Sequence, residues 1–340
     1  MDPVSQGVFG AVFAQTTSRK KTLAKAAVIG ALAGMAPDLD ILLRATDDPL
    51  FALEFHRHFT HSLIFIPFGA LLCSIVFFLL LGKRWNLRFM QVYIWSLLGY
   101  ATHGLLDACT SYGTQLFWPF SNYRVSWDII SIIDPLVTLP LIALVILASM
   151  RKARRYAFIG VIWIAVYFGF SYTQHEKAMA VGYEQAAARG LDLVRLEAKP
   201  SFGNVLIWKL IYETPKQYYV DAVKVGFSEP VVWEGDSTDK LDIDRDLPWL
   251  DKSSQQAKDI ERFRWFSGGY IAQDKNSPYR VVDIRYSMLP QEIKPLWGIV
   301  LSTTAKPDDH IAYYNERGDS MAALKRLWTM FFEQHSKVSK

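Results

Sequence analysis

The sequence predicts an α-helical integral membrane bundle, four long spans plus two short N-terminal apolar helices, followed by a mixed α+β soluble domain. Three observations lead to this reading. Charge is scarce in one half of the chain and abundant in the other, apolar runs reach membrane-crossing length, and basic clusters recur at alternate ends of those runs. Of the 340 residues, those up to Thr173 hold 14 Lys+Arg and 9 Asp+Glu, against 23 and 24 from Gln174 onward. The expected division is therefore a transmembrane part, 1–173, and an extracytoplasmic part, 174–340. A net charge of +4 provides no basic field of the kind nucleic acids need, so no nucleic-acid partner is expected. Cys73 and Cys109 fall in or beside apolar segments, which argues against a disulfide framework or a Cys-based zinc site. Residues 1–30 lack a small-residue cleavage site after a single apolar core, so no removable signal peptide is expected.

A span needs roughly 20 mainly apolar residues. The segments 62–82, 89–107, 129–150 and 156–173 meet or approach that length, whereas 4–14 and 24–37 are too short to cross comfortably and suit tilted, re-entrant or packed helices. Orientation follows from three basic clusters: Arg19, Lys20, Lys21 and Lys25; Lys83, Arg84 and Arg88; Arg151, Lys152, Arg154 and Arg155. All three fall on one side, the cytoplasm, if the segments cross or reach across in turn. Nearly every acid and histidine of the membrane part then falls in the opposite layer, which holds Asp2 with Gln6, Asp38, Asp40, His56 to His61, His103, Asp107, Asp128 and Asp134. Beyond it, 174–189 reads as a polar helix continuing the last span. The segments 205–212, 217–225, 279–286 and 297–303 read as strands, 236–251 as an acidic loop, and 320–335 as a closing helix.

Three motifs in that layer carry chemistry. His103 and Asp107 in HGLLD stand four residues apart on a helix, so imidazole and carboxylate share a face, as a metal or a buried structural pair requires. Ionisable groups at the edge of an apolar bundle are more often functional. HRHFTHS, 56–62, places three of seven histidines just before a long apolar run; it suits zinc, with an interfacial anchor as the plainer alternative. Arg57 within it has the forked donors for a phosphate or the charge for lipid headgroups. PDLD, 37–40, adds Asp38 and Asp40, acids whose position at a helix C-terminus calls for a compensating cation. The polar, aromatic stretch 110–128 follows and can roof a site with Tyr112, Gln115 and Trp118.

Together, DPVSQGVFGA, PDLD, HRHFTHSL, HGLLDACTSYGTQLFWPFS and IDPLVTLPL, in that order over residues 1–150, resemble the YdjM-like family of membrane-bound, metal-dependent hydrolases of the bacterial inner membrane, whose best-known member is LexA-regulated. The resemblance implies a divalent metal, zinc first and manganese or magnesium as alternatives, held by His61, His103 and Asp107 with Asp38, Asp40 and His56 as companions. His58 stands where a small residue is expected, so no ligand role carries over to it. Gln6 stands where many relatives have His, which points to support of a ligand rather than ligation. The HxxxD pair also looks like part of the zinc motif of bacterial phospholipase C, which suggests phosphoester cleavage.

The expected activity is hydrolysis by metal-activated water at the outer membrane surface, on a phospholipid or lipid-linked phosphoester. Asp38 or Asp40 would act as ligand or general base, with Arg57 steadying a phosphate. The alternative is a non-catalytic membrane protein with a structural metal and a partner-binding outer domain. The basic clusters also fix a topological expectation: a reporter fused after Lys340 should behave as extracytoplasmic and one inserted at Arg84 as cytoplasmic. A cytoplasmic C-terminus in that assay would overturn the orientation.

Overall fold

The computed structural model describes residues 1–43, 45, 47–316, 318 and 320–333. Its contacts divide the chain into two compact units, one made of Met1–Leu43, Phe55–Thr173 and Phe202–Val205, the other of Arg44–Glu54, Gln174–Ser201 and Leu206–Lys340.

The first unit is helical, and its helices follow from the apolar runs. Asp2 caps α1 (Pro3–Thr17) by accepting from the Val4 and Ser5 amides. The core of the second helix, α2 (Leu23–Met35), is extended by short 3-10 turns at both ends, so that Lys20–Leu42 is one helical rod of 23 residues. The expectation of a short apolar helix there is therefore revised. PDLD does not end the rod, because Pro37 sits in the first turn of its 3-10 extension, where a missing amide hydrogen costs little. A five-residue helix, α3 (Phe51–Phe55), belongs almost entirely to the other unit. Then follow α4 (Ile66–Phe77), within the apolar helical stretch Leu63–Gly82, α5 (Phe89–Ala108), α6 (Pro135–Met150) and α7 (Arg155–Ala188).

Among the described residues, three helices are long and apolar enough to cross a membrane: Lys20–Leu42, Leu63–Gly82 and Arg155–Ala188. Pro135–Met150 is apolar but shorter, since 129–134 is irregular chain ending at the Asp134 cap. Their side chains are distributed for an apolar solvent. Phe68, Leu72, Leu80, Leu139 and Ile162 point outward, while Gln6, Gln15, Ser74, Ser96, His103 and Asp107 are buried. Large outward apolar surface is what lipid contact requires and what water would penalise.

The interior of this unit rests on small residues. A Cβ on Gly30 would lie 2.4 Å from the Gly10 carbonyl oxygen, and one on Gly99 only 2.3 Å from the Gly30 carbonyl oxygen. Backbone of α1, α2 and α5 therefore meets without intervening side chains, the packing mode that suits helices in lipid. Below that contact, Ala14, Ala26, Ile29, Val92 and Trp95 form an apolar cluster.

The second unit holds two four-stranded antiparallel sheets. One runs β1 (Arg195–Pro200), β2 (Ile207–Glu213), β3 (Gln217–Lys224), β4 (Val231–Asp239). The other runs β5 (Ile271–Asp274), β6 (Ser277–Asp283), β7 (Trp297–Val300), β8 (Ala312–Asn315). Ile211, Tyr218 and Val220 of the first pack on Ala272 and Val282 of the second, giving the unit its core. Between the sheets in sequence lie α8 (Ile243–Asp246) and α9 (Gln255–Phe266); α10 (Ser320–Phe332) covers Ile207 and Ala222 with Leu327 and Met330. The acidic segment expected to be a loop is partly ordered, with 236–239 in edge strand β4 and Asp242 capping α8. His335, placed in the closing helix by sequence, and Lys340 lie outside the described residues.

The glycine contacts generate a test. Gly99→Ala should destabilise the full chain by about 1–3 kcal/mol, the usual cost of forcing extra volume into a packed interior. Gly169→Ala, with nothing within 4 Å of the added Cβ, should be neutral in the same thermal melts in detergent.

Candidate metal centre

The 3-10 end of the α2 rod contributes Asp38 and Asp40, the segment before α4 contributes His56, Arg57 and His61, and the last turns of α5 contribute His103 and Asp107. Gly104 lets these elements meet: a Cβ there would lie 2.3 Å from the His61 carbonyl oxygen. Tyr100 Oη donates to the Thr60 carbonyl at 2.9 Å, and the loop after α5 clasps the same segment through Gln115 N to Arg57 O at 3.1 Å and Leu63 N to Leu116 O at 3.0 Å.

The histidines are oriented from behind. His103 Nδ1 lies 2.5 Å from the Gly34 carbonyl oxygen. A carbonyl can only accept, so the proton sits on Nδ1 and leaves Nε2 as a lone pair. His61 Nδ1 faces Thr60 Oγ1 at 3.0 Å and Asp40 Oδ2 at 3.3 Å, with Thr60 donating to Asp40 Oδ2 at 2.8 Å, so Nδ1 carries a proton and Nε2 is the atom turned to the cluster. The two Nε2 atoms are 2.9 Å apart, and both rings are buried.

Two carboxylates complete the group. Asp38 Oδ1 lies 3.2 Å from His103 Nε2 and 3.5 Å from His61 Nε2, and Asp107 Oδ2 lies 3.8 and 3.5 Å from the same atoms. A tetrahedral ion with bonds of about 2.0–2.1 Å has ligand–ligand edges of about 3.3–3.4 Å, which the observed separations bracket. Asp107 Oδ2 is buried with no hydrogen-bond partner, although Arg57 Nε stands 3.1 Å away as an ion pair. A buried carboxylate oxygen without a hydrogen bond, beside two imidazole nitrogens 2.9 Å apart, is an environment that a divalent cation fits. These four residues form one group able to hold an ion, and Asp38, Asp40 and His56 form a second.

The remaining residues of the expected layer separate into distinct jobs. Gln6 Nε2 donates to the other Asp107 oxygen at 2.9 Å. Arg57 is buried, with Nη1 3.3 Å from Thr110 Oγ1 and its guanidinium 5.2 Å from the Tyr112 ring centre. Its φ of +67° is in the left-handed region, which an arginine enters only when its surroundings hold it there; the Asp40 and Gln115 contacts do so. Asp2 and Asp134 cap helices, Asp134 also accepting from Tyr167 Oη at 2.6 Å. Trp118 packs on His58 and Phe59. His310 pairs with Asp259 in the sheet unit. Sequence reasoning did not find Thr60; a hydroxyl next to a histidine carries no signal without the fold.

A family profile described as YdjM inner membrane protein matches residues 1–178. The chain belongs to this family. Within curated proteins, it is 31% identical over 116 residues to the uncharacterized protein YfhP of Bacillus subtilis (strain 168), a stretch covering 34% of each chain. It is 30% identical over 108 residues to the inner membrane protein YbcI of Escherichia coli (strain K12), covering 30% of this chain and 60% of that one. The chain thus spans about a third and three-fifths of the lengths of these relatives. No solved structure matches it. The YdjM match takes in the whole ligand cluster and ends inside α7, ahead of both sheets.

If the four atoms hold one ion, His61→Ala, His103→Ala and Asp107→Ala should each lower the metal content of the purified chain. His58→Ala and His310→Ala should leave it near wild type. Equal loss in all five, measured by elemental analysis, would indicate misfolding in place of ligand removal.

Proposed function

We propose that this YdjM-family protein is a multi-pass membrane hydrolase, its catalytic metal set at the outer membrane–water interface, acting on a phospholipid or lipid-linked phosphoester. The observation that carries the proposal is the pair of imidazole Nε2 atoms 2.9 Å apart with two carboxylate oxygens beside them, inside an apolar helical unit. Zinc suits this mixed nitrogen and carboxylate set best, with manganese or magnesium next. Bound there, a divalent ion supplies Lewis acidity and an activated water at neutral pH.

The chain's own residues have separable roles in this reading. His61, His103 and Asp107 hold the ion, and Asp40 orients His61 from behind, a support that commonly changes metal affinity by 10–100-fold when removed. Asp38, the least buried of the four, is the carboxylate placed to take a proton or to ligate. Arg57 has its donors turned to Asp107 and Thr110, which favours steadying a ligand over clamping a phosphate. Outward apolar faces on the helices support entry of substrate sideways from lipid, and the basic clusters support a cytoplasmic side opposite the site and an extracytoplasmic sheet unit.

A second reading has a specific observation in its favour. Four protein atoms can close a coordination shell, as structural sites do, which would suit a non-catalytic membrane protein whose outer domain binds a partner. Metal exchange separates the two. The enzyme reading expects a chelatable ion whose removal abolishes hydrolysis of a phosphodiester or phospholipid and whose return restores it; a tightly held ion with no hydrolysis of either substrate class would favour the structural reading.

A further inference from the structure

Four protein ligands leave a catalytic ion no free position, yet the second group of possible ligands adjoins the first and shares a residue with it. Asp38, Asp40 and His56 each offer an atom within 4.8 Å of the others. His56 Nδ1 and Asp40 Oδ1 are 2.8 Å apart, close to the edge of about 2.9–3.0 Å between neighbouring ligands of an octahedral ion with bonds of about 2.0–2.1 Å. Asp38 turns Oδ1 toward the two inner imidazoles, while its Oδ2 has no hydrogen-bond partner among the described residues. The outer group reaches solvent through His56 and Asp38, its third member Asp40 being 0% exposed. The side chains of His61, His103 and Asp107 are 0% exposed, whereas those of His56 and Asp38 are 32% and 25% exposed.

We propose that the centre takes two divalent ions bridged by Asp38: an inner one held by His61, His103 and Asp107, and an outer one held by His56 and Asp40 with its remaining positions open to water and substrate. This rests on the metal reading above and deepens it, because it assigns the closed set a holding role and the exposed set the exchange. Asp40 belongs to both halves. Its Oδ1 meets His56, and its Oδ2 orients His61 and accepts from the Arg57 amide at 3.2 Å, so filling the outer position also stiffens the inner one. The carboxylate-rich, partly exposed outer set favours a harder ion such as manganese, and the buried imidazole pair favours zinc. A pair of this kind suits displacement at phosphorus, where attacking and leaving oxygens both need stabilisation.

The test uses the full chain in detergent, stripped with chelator and titrated with Mn²⁺ and separately with Zn²⁺, with metal counted by elemental analysis and Mn²⁺ followed by electron paramagnetic resonance. Two ions per chain and a spin-coupled manganese signal are expected. His56→Ala should lower the count to one and abolish the coupling, and His56→Gln provides the same reading if the alanine variant does not fold. Asp38→Ala should weaken both sites. One ion per chain, unchanged in either His56 variant, overturns the pair and leaves the inner site standing; no bound ion overturns the metal reading itself.

Discussion

Two imidazole Nε2 atoms 2.9 Å apart inside an apolar bundle stay together only with a proton or a cation between them. Much of the helical unit is arranged around that constraint. His103 is fixed by a carbonyl of α2, His61 by Thr60 together with Asp40 of the 3-10 end of the α2 rod, and Asp107 by Gln6 from α1, so restraints from separate elements converge on one point. Burying these groups without mutual compensation would be costly, since charge in a low-dielectric interior is tolerated only when paired and hydrogen-bonded.

The glycine contacts are the mechanical side of the same arrangement. Helices separated by ordinary side chains lie 8–10 Å apart, whereas here backbone meets backbone. Close approach at Gly30 and Gly99, and again at Gly104, places backbone where His103 and the His61 segment can use it. Packing and ligand orientation are thus set by the same few residues.

Much of this was legible in the sequence. Apolar runs located the helices, and His103, Asp107, His61, His56, Asp38 and Asp40 stood out as ionisable residues where such residues are scarce. The rod Lys20–Leu42 was underestimated because Pro37 looks like a stop; a proline in a first turn is compatible with continuation. Strand β4 was hidden because an exposed edge strand can be as acidic as a loop. Asp2 and Asp134 were indistinguishable from ligands by residue type, and only hydrogen bonds to helix amides reveal them as caps. The left-handed backbone at Arg57 had no sequence marker at all, since nothing about arginine favours it.

Residues 47–54 lie in the chain between Asp40 and His56, yet they belong to the sheet unit, where Arg262 of α9 forms ion pairs with Asp48 and Glu54 at 2.7 Å each. The partners are more than 200 positions apart. A ribosome releases Asp48 and Glu54 long before it makes Arg262, so the stretch joining two parts of the ligand set must wait for these ion pairs while the chain from α4 to α9 is synthesised. Assembly of this protein therefore cannot proceed strictly from the N-terminus: a stretch made before α4 is completed by α9.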